Sequence, residues 1–423
     1  MSIRWLLSTL TCAATLICTA VNAAPTSPEV SEHRPAIGRY ATPHGIVYVG
    51  HTGEPPTQPG ADYYDPTSQR QGTLEHLHGS LYRSSDKPEL TVDLRTPDVA
   101  VVEDKHVVDD KQGDFGFSVW HSVHAAKLPL VVLLEGADDS TRDMGFLIPY
   151  FVSHGMAVLT FDQRGTGLST GNWRYTSPVD KADDVVAALD TLVSDPAIDF
   201  ARVGVWGPSN GGWVAPIIAR RYPLAFMILK SASGQTIIQN VKYEIRQDLL
   251  HSHRFSPNQI DEAMQFEQIM FHCVETDQGW AHAANVLEKA RTKPWFSLMR
   301  IPPGLAMPPP PAMLAALRAS LLYDPRTTLQ HVSTPTLLLF GQKDRNVDVA
   351  VSERDFRHAF GKSGMRDLTV HVFPDADHLL MLSPTGYISD ESEPTHFAKG
   401  YPSIMIEWLH KRGLLGVAAG NMH

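Results

Sequence analysis

The sequence predicts an α/β fold: a mostly parallel central sheet flanked by helices, with a helical insertion and a small β-rich unit ahead of the sheet. Three observations predict it. From Leu128 onward, short apolar runs alternate with helical patterns, the rhythm of strands joined by helical crossovers. Runs such as Leu130 to Leu134 are apolar without a break, as strands buried on both faces are. The run Arg202 to Trp206 leads straight into Gly207-Pro208-Ser209-Asn210-Gly211, and a helical pattern follows from Trp213 to Tyr222.

The chain divides into five stretches: 1–23, 24–127, 128–232, 233–332 and 333–423. Residues 1–23 read as a secretory signal, with Arg4 as the positive region, a largely apolar run from Trp5 to Val21, and a small-x-small site at Val21-Asn22-Ala23. Cleavage after Ala23 would send the mature chain to the periplasm or outside the cell. The run is weaker than the roughly 20 apolar residues of a spanning helix, so no stable membrane insertion is expected after cleavage. Cys12 and Cys18 would leave with the signal. Cys273 alone would remain, so no intrachain disulfide can form and the core must hold the fold.

Residues 25–32 are rich in Pro and Ser and read as a linker. Up to residue 127, Gly, Pro, Thr and His dominate, with β-like pieces at Gly45 to Val49 and Phe115 to Trp120. Beyond it the strands are Leu130 to Leu134, Met156 to Phe161, Arg202 to Trp206, Ala225 to Lys230, Pro335 to Phe340 and Leu368 to Phe373. Helices are expected at Met144 to Ser153, Pro178 to Leu192 and Pro402 to Lys411. Asp180, Asp183 and Asp184 fall in the first turns of the second, where acids complement the helix dipole. Between Ser231 and Val332 the alternation stops. Helical segments (Ile260 to Cys273, Ala281 to Ala290, Ala312 to Leu322) and a proline cluster stand there instead. Such an insertion between two strands reads as a cap, which closes over a site and selects substrates.

The stretch around Ser209 has the context of a nucleophile elbow. The turn from strand to helix is so tight that the serine's neighbours must be small, and Gly207, Gly211 and Gly212 are. Gly167-Leu168-Ser169-Thr170-Gly171 matches the same pattern. However, the strand before it ends several residues earlier and no helical period follows, so Ser209 is the candidate nucleophile.

A serine hydroxyl needs a base within hydrogen-bond reach, and the base needs an acid to orient it. After an elbow the chain order is Ser, then Asp or Glu, then His. Asp344 follows the strand Pro335 to Phe340 through Gly341-Gln342-Lys343 and fits the acid; Asp348 is the runner-up, farther from the strand end. An aspartate in such a loop otherwise reads as a helix cap. His378 follows Leu368 to Phe373 through Pro374-Asp375-Ala376-Asp377 and fits the base. With 20 histidines in the chain, it is position that selects this one. The oxyanion of acyl transfer needs two backbone donors. The N–H of Asn210 is one, and the N–H of Ala137, in the loop after Leu134, is the expected other.

No cofactor or metal is called for. His76-Leu77-His78 and His251-Ser252-His253 lack a third ligand at recognisable spacing, and no phosphate loop or dinucleotide fingerprint appears. A net charge of −10 without a basic stripe argues against nucleic acid. A small-molecule ester or a short peptide is the expected partner.

Three stretches resemble bacterial α/β-hydrolase-fold enzymes of the dienelactone hydrolase and prolyl-oligopeptidase-like type. They are Phe161-Asp162-Gln163-Arg164-Gly165-Thr166-Gly167-Leu168-Ser169, the elbow Val205 to Trp213, and the two loops that carry Asp344 and His378. The resemblance spans roughly Leu128 to Leu409 and implies a Ser-Asp-His mechanism, with Ser169 structural. Two positions depart from the type: Glu135 and Pro208 stand where the family usually has histidine. Glu135, with Asp138 and Asp139, would make the mouth acidic and favour an amine-bearing substrate, unless these are simply solvated loop residues. The resemblance is specific for the fold and the serine mechanism, not for the substrate. With the signal, the cap and the triad order, the expected function is an exported carboxylic-ester hydrolase, with a peptidase for short peptides or aminoacyl amides as the alternative. A binding protein on the same fold remains the non-catalytic alternative.

Overall fold

In the computed structural model, which describes residues 34–52, 60–88, 90–123, 127–136, 140–301, 305–387 and 396–417, fourteen strands join in one sheet. Residues 1–33, which include the expected signal, and Ala137, Asp138 and Asp139 lie outside the described residues. The first strands are β1 (Gly38–Thr42), β2 (Gly45–Thr52), β3 (Gly60–Asp65), β4 (Arg70–His78), β5 (Leu81–Ser84) and β6 (Thr91–Asp93), an antiparallel meander. A long hairpin follows, β7 (Val99–Asp110) and β8 (Gly113–Ser122).

The alternating region begins with β9 (Leu128–Leu133), α1 (Leu147–Ser153), β10 (Ala157–Phe161), α2 (Pro178–Leu192), β11 (Ile198–Pro208), α3 (Gly211–Arg221) and β12 (Phe226–Lys230). Helices α4 (Ile237–His251), α5 (Pro257–Thr276), α6 (Trp280–Ala290), α7 (Pro311–Leu321) and α8 (Pro325–Leu329) separate β12 from β13 (Thr336–Gly341). The chain closes with α9 (Val349–Ser363), β14 (Leu368–Phe373) and α10 (Ser403–His410).

The strand order is β14-β13-β12-β11-β9-β10-β8-β7-β1-β2-β3-β4-β5-β6. The parallel arrangement expected from the sequence holds for the six strands from β14 to β10. The sheet as a whole is mixed, because β8 runs antiparallel to β10 and the meander extends it through β7 and β1. Thus β7 and β8, which a division at residue 127 separates from the core, are hydrogen-bonded into it. Trp120 on β8 also donates its indole N–H to Thr160 on β10, at 2.7 Å.

Burial explains the unbroken apolar strands. On β9, Leu130 and Val132 face one layer with Leu134 just beyond, while Val131 and Leu133 face the other. Helices α2, α3 and α9 cover the first face; α1 and α10 cover the second. Every β9 residue is buried, and each fully buried Leu or Val of this kind contributes about 1.5–3 kcal/mol relative to exposure. The insertion has its own core. Residues Ile260, Ala263, Phe266, Met270 and Cys273 of α5 recur at helical spacing and pack on Leu249 of α4 and Leu287 of α6. Among the described residues, no helix is long and apolar enough to cross a membrane.

β9 connects through α1 to β10 on one side, and the chain then returns through α2 to β11 on the other. The carboxyl ends of β9 and β11 therefore flank the point where strand order reverses, the place where open α/β sheets bind ligands. Ser209 follows β11 there.

Candidate active site

The elbow follows from its glycines. Ser209 has φ of 47°, a left-handed conformation rare outside glycine, held because β11 ends and α3 begins on either side of it. A Cβ on Gly207 would sit 2.8 Å from the Gly211 carbonyl oxygen, and one on Gly212 only 2.3 Å from the Ala232 Cβ. Only hydrogen fits at both. The Asn210 N–H lies at the N-terminus of α3, where the first amides lack intrahelical acceptors and the dipole favours an anion. Ala137, the expected second donor, is outside the described residues. Its neighbour Glu135 brings its carbonyl to the start of α3, 3.3 Å from where a Gly211 Cβ would lie.

Asp344 and His378 are brought together: His378 Nδ1 lies 2.8 Å from Asp344 Oδ2, and both side chains are buried. The other Asp344 oxygen accepts N–H bonds from Asn346 (2.8 Å) and Val347 (2.9 Å). An ionised carboxylate only accepts, so Nδ1 carries the proton and Nε2 is the nitrogen left to act as a base. Asp348, the runner-up, is instead the N-cap of α9, accepting from Val351 N–H at 3.1 Å.

Two residues that the sequence reading did not single out tie the elbow to the histidine loop. The Ser209 N–H donates to the Lys230 carbonyl at 2.8 Å. Ser231, next in the chain, donates its hydroxyl to the His378 carbonyl at 2.7 Å. The Lys230 ammonium is buried below the same carbonyl, at 3.4 Å. Burial lowers its pKa to about 8, against the pull of Asp377 and Asp344. Burial in turn raises Asp377 to about 6, against N–H donors from Met381 and Leu379 and the Lys230 charge. The nearest sequence signal for the pair is position: both stand where β12 leaves the sheet, one strand over from the elbow.

Ser169, the second pattern match, has a saturated hydroxyl. It donates to the Asp162 carbonyl (2.7 Å) and accepts from Gly116 N–H (2.9 Å). The loop around it is pinned by buried ion pairs of Asp162 with Arg142 and of Arg164 with Asp184. Asp184 is thus an anchor for Arg164 more than a dipole acid. Burial raises its pKa to about 7 even against that guanidinium.

Ser209 and Asn210 line a cavity between the sheet edge and the insertion, walled by Trp173, Trp213, Ile237, Leu317 and Leu321. Its charged lining residues are Arg174, Lys181, Arg300 and Glu244. Arg300 bonds both Glu244 (2.8 Å) and Asp248 (2.6 Å). Of the acids that the sequence places at the mouth, Asp138 and Asp139 lie outside the described residues. Glu135 is a buried side chain, not a solvated one. Of the His-x-His pairs, His76 Nε2 lies 3.0 Å from the Gly79 carbonyl and His251 stacks on Tyr387 at 3.6 Å.

A model of the prolyl oligopeptidase family matches residues 143–273, a segment that contains the elbow. An Escherichia coli protein named as an uncharacterized 31.7 kDa protein of the traX-finO intergenic region is 33% identical over 90 residues, 20% of this chain. The chain spans 30% of that relative's length. Among solved structures, an esterase from Pyrococcus furiosus is similar with a TM-score of 0.44 and 15% identity, covering 73% of this chain and 91% of its own. The Pyrococcus horikoshii acylaminoacyl peptidase reaches a TM-score of 0.46 at 12% identity, covering 90% of this chain and 50% of its own. The matched segment holds the elbow and Ser209, and over that segment the chain, a serine hydrolase, is similar to the prolyl oligopeptidase family.

Proposed function

We propose that the chain hydrolyses carboxylic esters through an acyl-enzyme on Ser209, with His378 as general base and acid and Asp344 orienting it. The observation that carries this reading is the buried 2.8 Å contact of Asp344 with His378, tied through Lys230 and Ser231 to an elbow whose serine lines a cavity. Ser209 Oγ attacks the acyl carbon as His378 Nε2 takes its proton. The resulting oxyanion is held by the Asn210 N–H and, in this reading, by that of Ala137. Collapse breaks the bond to the alcohol oxygen, which leaves with the proton from His378. Water then attacks the acyl-enzyme, His378 again moving the proton, and the acid departs. No cofactor enters these steps. In the same reading, the insertion between Lys230 and Thr336 is a cap over the cavity, and residues 1–23 direct export to the periplasm or beyond.

A second reading is a peptidase for short peptides or aminoacyl amides. The prolyl oligopeptidase family match favours it, and the same three side chains cleave amides. The test is hydrolysis of p-nitrophenyl esters, short to long acyl, by the chain and by Ser209→Ala. The ester reading expects turnover that falls by roughly 10^3- to 10^6-fold in the variant. Turnover of aminoacyl p-nitroanilides without turnover of esters would replace it with the peptidase.

A further inference from the structure

Glu267, on α5, is 4% exposed, and among the described residues neither of its carboxyl oxygens has a hydrogen-bond partner. A buried carboxyl is ordinarily satisfied, and an unsatisfied one invites a functional explanation. It opens into a cavity otherwise walled by apolar side chains, among them Phe271, Val274, Trp280, Met299 and Met307. This cavity shares Leu317 and Leu321 of α7 with the one that holds Ser209. The two leucines therefore stand between the nucleophile's chamber and the carboxyl's.

We propose that the Glu267 cavity is a distal subsite for the far end of the acyl chain whose ester sits at Ser209, and that it takes a chain ending in a hydroxyl. The proposal rests on the ester-hydrolase reading. The apolar walls accept methylenes, which gain by leaving water. At the end of the cavity only a group that donates and accepts satisfies an uncharged carboxyl, and a hydroxyl does both. The carboxyl is held uncharged by burial, which raises its pKa to about 8 against the nearby Lys242 and Arg300. An ammonium in the same place would leave water without an ionised partner, so its desolvation would be uncompensated. A plain alkyl end would fill the walls and leave the carboxyl as it is.

The experiment compares p-nitrophenyl esters of straight acyl chains with their ω-hydroxy counterparts of equal length, on the chain and on Glu267→Leu and Glu267→Gln. At the length that passes Leu317 and Leu321, the chain is expected to favour the hydroxy ester by roughly tenfold in kcat/KM. Glu267→Leu should bring that ratio to about one, and Glu267→Gln, which still donates and accepts, should keep most of it. Equal ratios in the chain and in Glu267→Leu overturn the subsite and leave the ester reading standing. Calorimetry with ω-hydroxy fatty acids on Ser209→Ala separates the two claims. Binding that Glu267→Leu weakens, with no ester turned over by the chain, sinks the ester reading and keeps the subsite. No binding and no turnover at any length sinks both.

Discussion

Asp344 can be tested without disturbing its shape. Asn at 344 keeps the size but can present an N–H to His378 Nδ1, which stabilises the wrong tautomer and leaves Nε2 protonated. Asp344→Asn is expected to lower kcat by about 10^4-fold with little change in KM, measured on the preferred p-nitrophenyl ester. Ser169 should behave oppositely. Its hydroxyl satisfies the Gly116 N–H and bonds the Asp162 carbonyl, so Ser169→Ala is expected to cost about 1–3 kcal/mol in denaturant unfolding while hydrolysis persists. Ser209, Asp344 and His378 were legible because each stands in a loop that directly leaves an apolar strand, where sequence position implies sheet edge. Lys230, Ser231, Glu244 and Arg300 were not. Their part in the site comes from contacts across 147 residues of chain for Ser231 and 56 for Arg300 with Glu244, and nothing local marks them.

The contact between α3 and the end of β12 sets the elbow. Gly212→Ala would push a methyl into Ala232 at 2.3 Å, against backbone that other strands hold in place. Overpacking of this kind costs about 1–3 kcal/mol. Because the displaced segment carries Ser209, the same variant should lose kcat; chemical denaturation and ester turnover measured together check both. The parallel strands were readable in sequence because both faces are buried, so every position is apolar. Helices α4 and α9 were not predicted. The buried side of α9 holds Ser352 and Asp355 beside Phe356, Ala359 and Phe360, and that of α4 holds Asn240 beside Ile238, Ile245 and Leu249. Polar residues on the inward face blur the apolar period that marks a helix.

Across the whole molecule, one sheet runs from β14 to β6, and residues of the helical insertion line the same cavity as Ser209. The sequence lets the β-rich unit feed into the main sheet, but which strands join could not be read from composition, because the pairing of β8 with β10 is non-local. The insertion couples stability to pH through Glu267. A carboxyl whose folded pKa is raised from 4.5 to about 8 favours folding most below 4.5, and that contribution is lost as pH rises toward 8. Glu267→Gln removes the loss. The Tm of Glu267→Gln relative to the parent chain should therefore climb between pH 5 and pH 8, read by calorimetry; a constant difference would place the carboxyl in water. Ser209 as nucleophile is tested by intact-mass and peptide mapping of the folded chain after a fluorophosphonate. One adduct is expected, on Ser209, absent in Ser209→Ala and much slower to form in His378→Ala. Labelling on another residue, or no adduct on the folded chain, would contradict it.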